Sequence, residues 1–427
     1  MFRNILNTTI VKIVNTLVAF AILMISARLL GPAAMGTIGL ILLAITIILL
    51  LNNLVGSGAL VFLVPRYSLG MIARISYGWT FIASGVGIAC FVLLKIEPTE
   101  YAIDIFFLSL IFGFNFVNQN ILIGKGLIRF FNLISFIQYM MMIILVVLLF
   151  YVLDVPSIRN YLLTLYVSWS LHLVLGTVKV LSLVSGHPVK ETRGLIRDML
   201  RYGFYVQIAN LTQFFNYRLT YYFVESFLGR ASLGVFEIGN KFADGIWLFG
   251  KSIAMVQYSW IANSKQGDDT VTLTLRLFKF STMLTLFLVL IMVALPESVY
   301  LFLFGARFEG VHEVLVWLAP GIVFMSGAMI LSHHFAGTGK YHINTIGSLI
   351  GLGFIVLLCF LLVPQYGLKG AALAASITYF ISLLYLLIVF GATSRAPWKS
   401  YTMRRSDIRF FIDLLRRQLQ MVKKSGE

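Results

Sequence analysis

The sequence predicts an all-α polytopic membrane protein of about 12 transmembrane helices, arranged as two six-helix lobes around a central cavity. Three observations predict it. The first is composition: 59% hydrophobic residues, 12% charged residues and a mean hydropathy of +0.92 are incompatible with a soluble globule of 427 residues. The second is a succession of long apolar segments, each enough to cross roughly 30 Å of hydrocarbon. The third is an internal repeat. Leu30 to Ile38 reads LGPAAMGTI, and Leu228 to Phe236, 198 residues later, reads LGRASLGVF. Each copy sits where one apolar segment ends and another begins, and duplicated bundles of this kind are how many carriers build a site between two halves.

In the first half the apolar segments run near residues 8–28, 37–62, 77–95, 104–124, 134–153 and 161–183; in the second they run near 203–224, 232–260, 277–295, 313–333, 344–363 and 369–391. They are helices and not barrel strands, being continuously apolar, about twice a barrel strand's length and without dyad alternation. The first segment exceeds the short apolar core of a signal peptide and is expected to be retained. With the amino terminus inside, most of the 33 Lys and Arg fall in inside loops and tails, so both termini are expected in the cytoplasm. The net charge of +16 is therefore a topology signal divided among many short loops, and nucleic-acid binding is not expected. Cys90 and Cys359 lie in separate segments and suggest neither a disulfide framework nor a metal cluster.

The expected organisation is an N-terminal lobe 1–184 (helices 1–6), a cytoplasmic linker 185–201, a C-terminal lobe 202–391 (helices 7–12) and a basic amphipathic cytoplasmic tail 392–427. The linker combines His187-Pro188 punctuation with Lys190, Arg193, Arg197 and Arg201. In the tail, Ile408, Phe411, Ile412, Leu415, Leu419 and Val422 share one helical stripe while most of the nine Lys/Arg lie off it. That pattern suits an interfacial helix on anionic lipids of the inner leaflet. The tail is also a candidate docking site for a partner enzyme.

Four pieces of sequence carry a family resemblance. They are Ala27-Arg28-Leu29-Leu30-Gly31-Pro32 through Gly36; Phe227-Leu228-Gly229 through Gly234-Val235-Phe236; Leu303-Phe304-Gly305 with Val314-Leu315 and Leu318-Ala319-Pro320; and Val363-Pro364-Gln365-Tyr366-Gly367-Leu368-Lys369-Gly370-Ala371-Ala372-Leu373-Ala374. In these the chain resembles the polysaccharide-transporter branch of the multidrug/oligosaccharidyl-lipid/polysaccharide exporter superfamily, the Wzx-type flippases. Where such proteins commonly carry proline, this chain has Tyr205 and Gln257-Tyr258. The resemblance implies the exporter-superfamily fold, the inner membrane of a bacterium, and as cargo an undecaprenyl-diphosphate-linked oligosaccharide, an O-antigen or other surface polysaccharide unit. It brings in polysaccharide polymerase machinery as a candidate partner and implies no cofactor. The small residues of these motifs also let helix backbones approach closely in lipid, so the motifs identify the fold without marking the site.

The site is sought where charge enters the membrane, because an ionisable group inside a span costs at least about 2.5 kcal/mol and therefore faces the bundle interior or water. Glu237, Lys241, Asp244 and Lys251 in the eighth segment fall within one arc of roughly 80°. Glu237 with Lys241, and Lys241 with Asp244, have the spacing of helix ion pairs. Lys251 and Arg218 have no acid at such spacing and are candidates for a ligand's negative charge. With Lys241, Arg28, Asn216 and Tyr217 they form the expected cargo-binding set; Glu237 and Asp244 are the candidates for ion coupling. Arg and Lys suit a diphosphate headgroup, the Arg fork by bidentate charge-assisted bonds and Lys as a point charge.

The expected function is a flippase that moves such a lipid-linked glycan from the cytoplasmic to the outer leaflet by alternating access. One alternative is a multidrug or metabolite exporter of the same superfamily, for which an acidic cavity would be expected. Another class is a membrane-embedded glycan polymerase or ligase. Against an enzyme stand the short outer loops and the absence of Walker A, HExxH and CxxC patterns. Adjacent His333 and His334 point about 100° apart on a helix, which suits one metal poorly.

Overall fold

A computed structural model describes residues 2–56, 59–64, 67–96, 98–184, 194–262 and 269–394, with side chains for these apart from 2–10, 56, 59, 62, 198, 201–213, 216, 217, 259 and 262. Most of the expected linker, the tail beyond Ser394 and the side chains of Asn216 and Tyr217 lie outside the described residues.

The helices follow in order as α1 Phe2–Leu30, α2 Pro32–Gly56, α3 Ala59–Leu63, α4 Leu69–Leu93, α5 Ala102–Gly124, α6 Ile128–Val147, α7 Ile158–Val184, α8 Leu195–Ala262, α9 Thr270–Ala294, α10 Glu297–Phe304, α11 Val311–Gly337 and α12 Tyr341–Ser394. Among the described residues there is no strand. Two of these helices are each two arms joined at one glycine: α8 breaks at Gly229 (φ 81°, ψ 174°) and α12 at Gly367 (φ 58°, ψ −135°). A side chain at such a φ meets the backbone, so only glycine turns the chain there without strain. With α3 and α10 set aside as short, the described residues form twelve long helical arms, one for each apolar segment of the sequence. The segment at 37–62 proves to be α2 plus the separate short helix α3, and the segment at 77–95 starts eight residues inside α4.

The chain is an all-α, multi-pass membrane protein. Its apolar exposure has the pattern of a lipid-facing belt: Phe81, Val86, Phe107, Leu133, Ile144 and Val178 are all exposed within long helices. α2 and α11 are the enclosed helices, with 67% and 72% of their most apolar windows buried against 17% for α1.

By contact density the chain divides into two compact units, Met1–Asn240 with Pro296–Val314 and Val356–Ala371, and Lys241–Leu295 with Leu315–Ile355 and Ala372–Glu427. In the first unit, Leu40, Ile41, Ile45 and Ile48 of α2 are fully buried. Polar side chains then tie its helices together, since hydrocarbon offers no competing partner. Thr80 of α4 donates to Asn52 of α2 at 2.8 Å. Asn118 of α5 accepts from the Tyr77 hydroxyl of α4 and donates to Thr177 of α7 at 2.9 Å.

In the second unit the corresponding glue is a chain of hydroxyls. Ser326 of α11 bonds Ser281 and accepts from Thr285 of α9, both at 2.8 Å. Trp247 of α8 donates its indole N–H to the Ile322 carbonyl at 3.0 Å. Asp269 caps α9 by accepting from the Thr272 amide at 2.8 Å, and these hydrogen bonds hold its carboxyl below the usual range.

Candidate functional site

Among the described residues nine helices are long and apolar enough to cross a membrane, and every long helix except α8 is one of them. α8 spreads Arg218, Glu225, Arg230, Glu237, Lys241, Asp244 and Lys251 along its two arms. A helix this polar is not stable with acyl chains on all sides, so it presents its charged side to protein or water.

Glu237 lies 4% exposed in the first unit. Gly39 of α2 faces it: a Cβ on Gly39 would stand 3.6 Å from the Glu237 carboxyl carbon, an ordinary contact distance. Tyr161 of α7 is within electrostatic reach of the same carboxylate. One turn on, the buried Asn240 amide donates back to the Phe236 carbonyl at 3.0 Å. Lys241, Asp244 and Lys251 belong to the second unit, the first two partly buried and Lys251 exposed. None of Glu237, Lys241 and Asp244 is without a partner.

Arg218, partly buried in the first arm of α8, is braced by Tyr221 one turn later. It donates to the Tyr221 hydroxyl and lies 5.1 Å over its ring. Tyr221 is itself 2% exposed, so the pair fixes a guanidinium that would otherwise sample many rotamers. Arg28, in the last turn of α1, is exposed and lies 6.0 Å from the Phe302 ring centroid of α10. That is an exposed position at a helix end.

Lys279 is a site candidate that reading the sequence missed. It is 8% exposed within α9 and has a partner of its own. The signal was a single Lys in the otherwise apolar run of the ninth segment. Arg307 was missed as well; its guanidinium donates to the Arg28 and Leu29 carbonyls at 3.4 Å, a cation set on the C-terminus of α1.

The two adjacent histidines of α11 have packing roles. His333 donates from Nδ1 to the Met329 carbonyl at 2.8 Å. His334 donates from Nδ1 to Thr274 Oγ1 at 2.8 Å, which also accepts from Gln257 Nε2 at 3.0 Å and donates to the Thr270 carbonyl at 2.7 Å. That exhausts what a hydroxyl can do and fixes the His334 tautomer. Among the described residues no group of three or more His, Cys, Asp or Glu is arranged to hold a metal.

A cavity of about 440 Å³ in the first unit is lined by Tyr77, Phe114, Leu173, Val174, Thr177 and Val178. Its Tyr77 hydroxyl donates to Asn118, its Thr177 hydroxyl accepts from Asn118, and its other lining residues are apolar, so it offers a polar cargo little.

No protein-family model matches the chain. A stretch of 168 residues is 27% identical to the capsular polysaccharide biosynthesis protein CapF of Staphylococcus aureus, covering 38% of this chain and 41% of that one. The chain thus spans about two fifths of the length of that curated relative. Among solved structures, the chain is similar to an inward-facing multidrug resistance MATE family transporter of the MOP superfamily, with a TM-score of 0.71 at 17% identity over 90% of this chain and 96% of that one. It is also similar to the lipid II flippase MurJ in an inward closed conformation, with a TM-score of 0.67 at 16% identity over 92% and 88%.

Proposed function

We propose, from the premise that this chain has the fold of the multidrug/oligosaccharidyl-lipid/polysaccharide exporter superfamily, that it is a flippase for a polyprenyl-diphosphate-linked oligosaccharide. It works without altering its cargo, in a bacterial cytoplasmic membrane with both termini inside. Lobes 1–184 and 202–391, joined by the linker 185–201, alternate between facing the two leaflets. The stretch shared with a capsular polysaccharide biosynthesis protein supports a glycan cargo, and the fold shared with a lipid II flippase supports a lipid-linked one.

The observation that carries the reading is α8, which among the described residues is the long helix not apolar enough to count as a span, with Arg218 braced by Tyr221. Arg218, Lys251 and Lys241 meet the diphosphate, with Arg28 at the rim, while Asn216 and Tyr217 serve the sugars. Glu237 and Asp244 are the acids through which an ion gradient biases the two states.

The test is deletion of the gene in its host followed by mass analysis of lipid-linked oligosaccharides. One species accumulates, and the wild-type gene clears it while Arg218→Gln with Lys251→Gln does not. The fold shared with a multidrug transporter gives the second reading, an exporter of drugs or metabolites. An unchanged lipid pool together with new sensitivity to cationic drugs selects that reading instead.

A further inference from the structure

The apolar cavity of the first unit has no part in the proposed cargo path, yet it is a built space. It lies between α4, which supplies Tyr77, α5, which supplies Phe114, and α7, which supplies Leu173, Val174, Thr177 and Val178. α4 and α7 touch where α4 begins: a Cβ on Gly70 would lie 3.2 Å from Val184. Farther along α4 there is room, since a Cβ on Gly78 or Gly85 would meet nothing within 4 Å. The three helices are pinned around the cavity by the hydrogen bonds from Tyr77 to Asn118 and from Asn118 to Thr177, and the Tyr77 ring stands edge-on to Phe114 at 5.3 Å. The space is therefore formed before anything enters it, which lowers the cost of binding.

Two observations say what enters. The cavity opens onto the lipid-facing belt, for Val174 and Val178 on its α7 side are 58% and 63% exposed. Water finds no partners on such walls, and an empty space forfeits dispersion contacts along its whole lining. Hydrocarbon is the occupant that these walls select. The second observation is Arg74. Gly70, Arg74 and Tyr77 fall within an arc of about 60° on α4, so Arg74 stands between the Gly70–Val184 contact and the cavity. It is exposed and takes part in no ion pair among the described residues. Lys179, nearby in sequence on α7, is turned instead to the Phe130 ring of α6, 5.8 Å from its centroid. By helix rise, Val178 to Val174 lie about 9–15 Å from the end of α7 and Arg74 about 8 Å from the start of α4. The cavity is thus at the depth of one leaflet's chains, with the guanidinium on its headgroup side, where a long side chain reaches the interface.

We infer that this is a binding site for an anionic phospholipid, with one acyl chain lying between α4, α5 and α7 and the phosphate on Arg74. The guanidinium supplies charge-assisted hydrogen bonds to phosphate oxygens. α1 and α2 cross out and back before α4 begins, so the leaflet is the one next to the amino terminus. The inference does not depend on the cargo.

The test is native mass spectrometry of the whole protein with phosphatidylglycerol or phosphatidylcholine of identical acyl chains. One phosphatidylglycerol per chain is expected to bind at least tenfold more tightly than phosphatidylcholine. Arg74→Gln is expected to abolish that preference. Val174→Trp, which fills the opening, is expected to weaken both lipids at least tenfold, whereas Val86→Trp, exposed elsewhere on α4, binds as wild type. Equal binding of the two lipids by wild type, or unchanged binding by Val174→Trp, overturns the site. If Val174→Trp does not fold, phosphatidylglycerol with a photoactivatable diazirine in its chain decides on wild type. Labelling of peptides containing Phe114, Val174 or Val178 supports the site, and labelling confined to other segments overturns it. Displacement of phosphatidylglycerol by an equal concentration of a polyprenyl phosphate assigns the groove to an isoprenoid chain, and a dimer mass lost in Val174→Trp assigns it to a second copy; either result overturns the phospholipid.

Discussion

Thr274 of α9 and His334 of α11 are joined by a 2.8 Å bond from the imidazole Nδ1 to a hydroxyl whose other bonds go to Gln257 and Thr270. Removing that oxygen strands two buried donors. Thr274→Val is therefore expected to destabilise by about 1–2 kcal/mol, above the mean of about 0.6 kcal/mol for a single interhelical bond in lipid because two partners are orphaned. Thr274→Ser keeps the network. Thermal unfolding in detergent distinguishes them: equal melting temperatures for the two variants would mean that the network contributes little.

Glycine substitutions separate close approach from mere helicity. Gly36→Ala forces a methyl into the Arg230 carbonyl, with an expected loss of about 1–3 kcal/mol. Gly353, in the first arm of α12, has nothing within 4 Å of a Cβ. Gly353→Ala should leave stability unchanged or raise it by about 0.5–1 kcal/mol. A melting-temperature series over both positions checks the contrast, and equal effects would contradict it.

The cap of α9 makes a pH-dependent contribution whose sign is set by the geometry. Hydrogen bonds from Thr272 depress the folded-state value of Asp269, so the cap's extra stability is present above the unfolded carboxyl range and is lost as pH falls through the folded value. Asp269→Asn retains an acceptor and removes this acid sensitivity; Asp269→Ala removes the cap and costs about 1 kcal/mol at neutral pH. Unfolding at neutral and acid pH for the three proteins reads both effects. An acid response in Asp269→Asn identical to wild type would assign the sensitivity elsewhere.

Arg218 is expected to distinguish charge from shape. Arg218→Lys keeps the charge but loses the planar fork and the stack on Tyr221. Glycan-lipid transport should fall more than tenfold in Arg218→Gln and by less in Arg218→Lys, with unfolding temperatures near wild type. Wild-type transport in Arg218→Gln would remove this residue from the path.

The helical architecture was legible because each span announces itself by length and apolarity, and the break glycines Gly31 and Gly229 by their place in the repeat. Boundaries at α2 and α3 were not, since an apolar run does not stop where a helix ends. The charged arc on α8 was readable from helical spacing alone. Lys279 was hidden by having no companion at such spacing. Arg307 was hidden in a short turn, and its meaning depends on α1, 278 positions away along the chain from Leu29. The mutual fit of Gly36 with Arg230 is likewise a fact of tertiary structure: the repeat shows the glycines, but no local pattern says that they touch.

Gly39 and Glu237 occupy matching places in the two copies and face each other. An assembly of two identical chains is forbidden that arrangement, because symmetry puts the same group on both sides of its dyad. It would hold two acids in mutual repulsion or none at all. Fusing the halves into one polypeptide lifts that prohibition, and an acid facing a glycine at equivalent positions is what the fusion made possible.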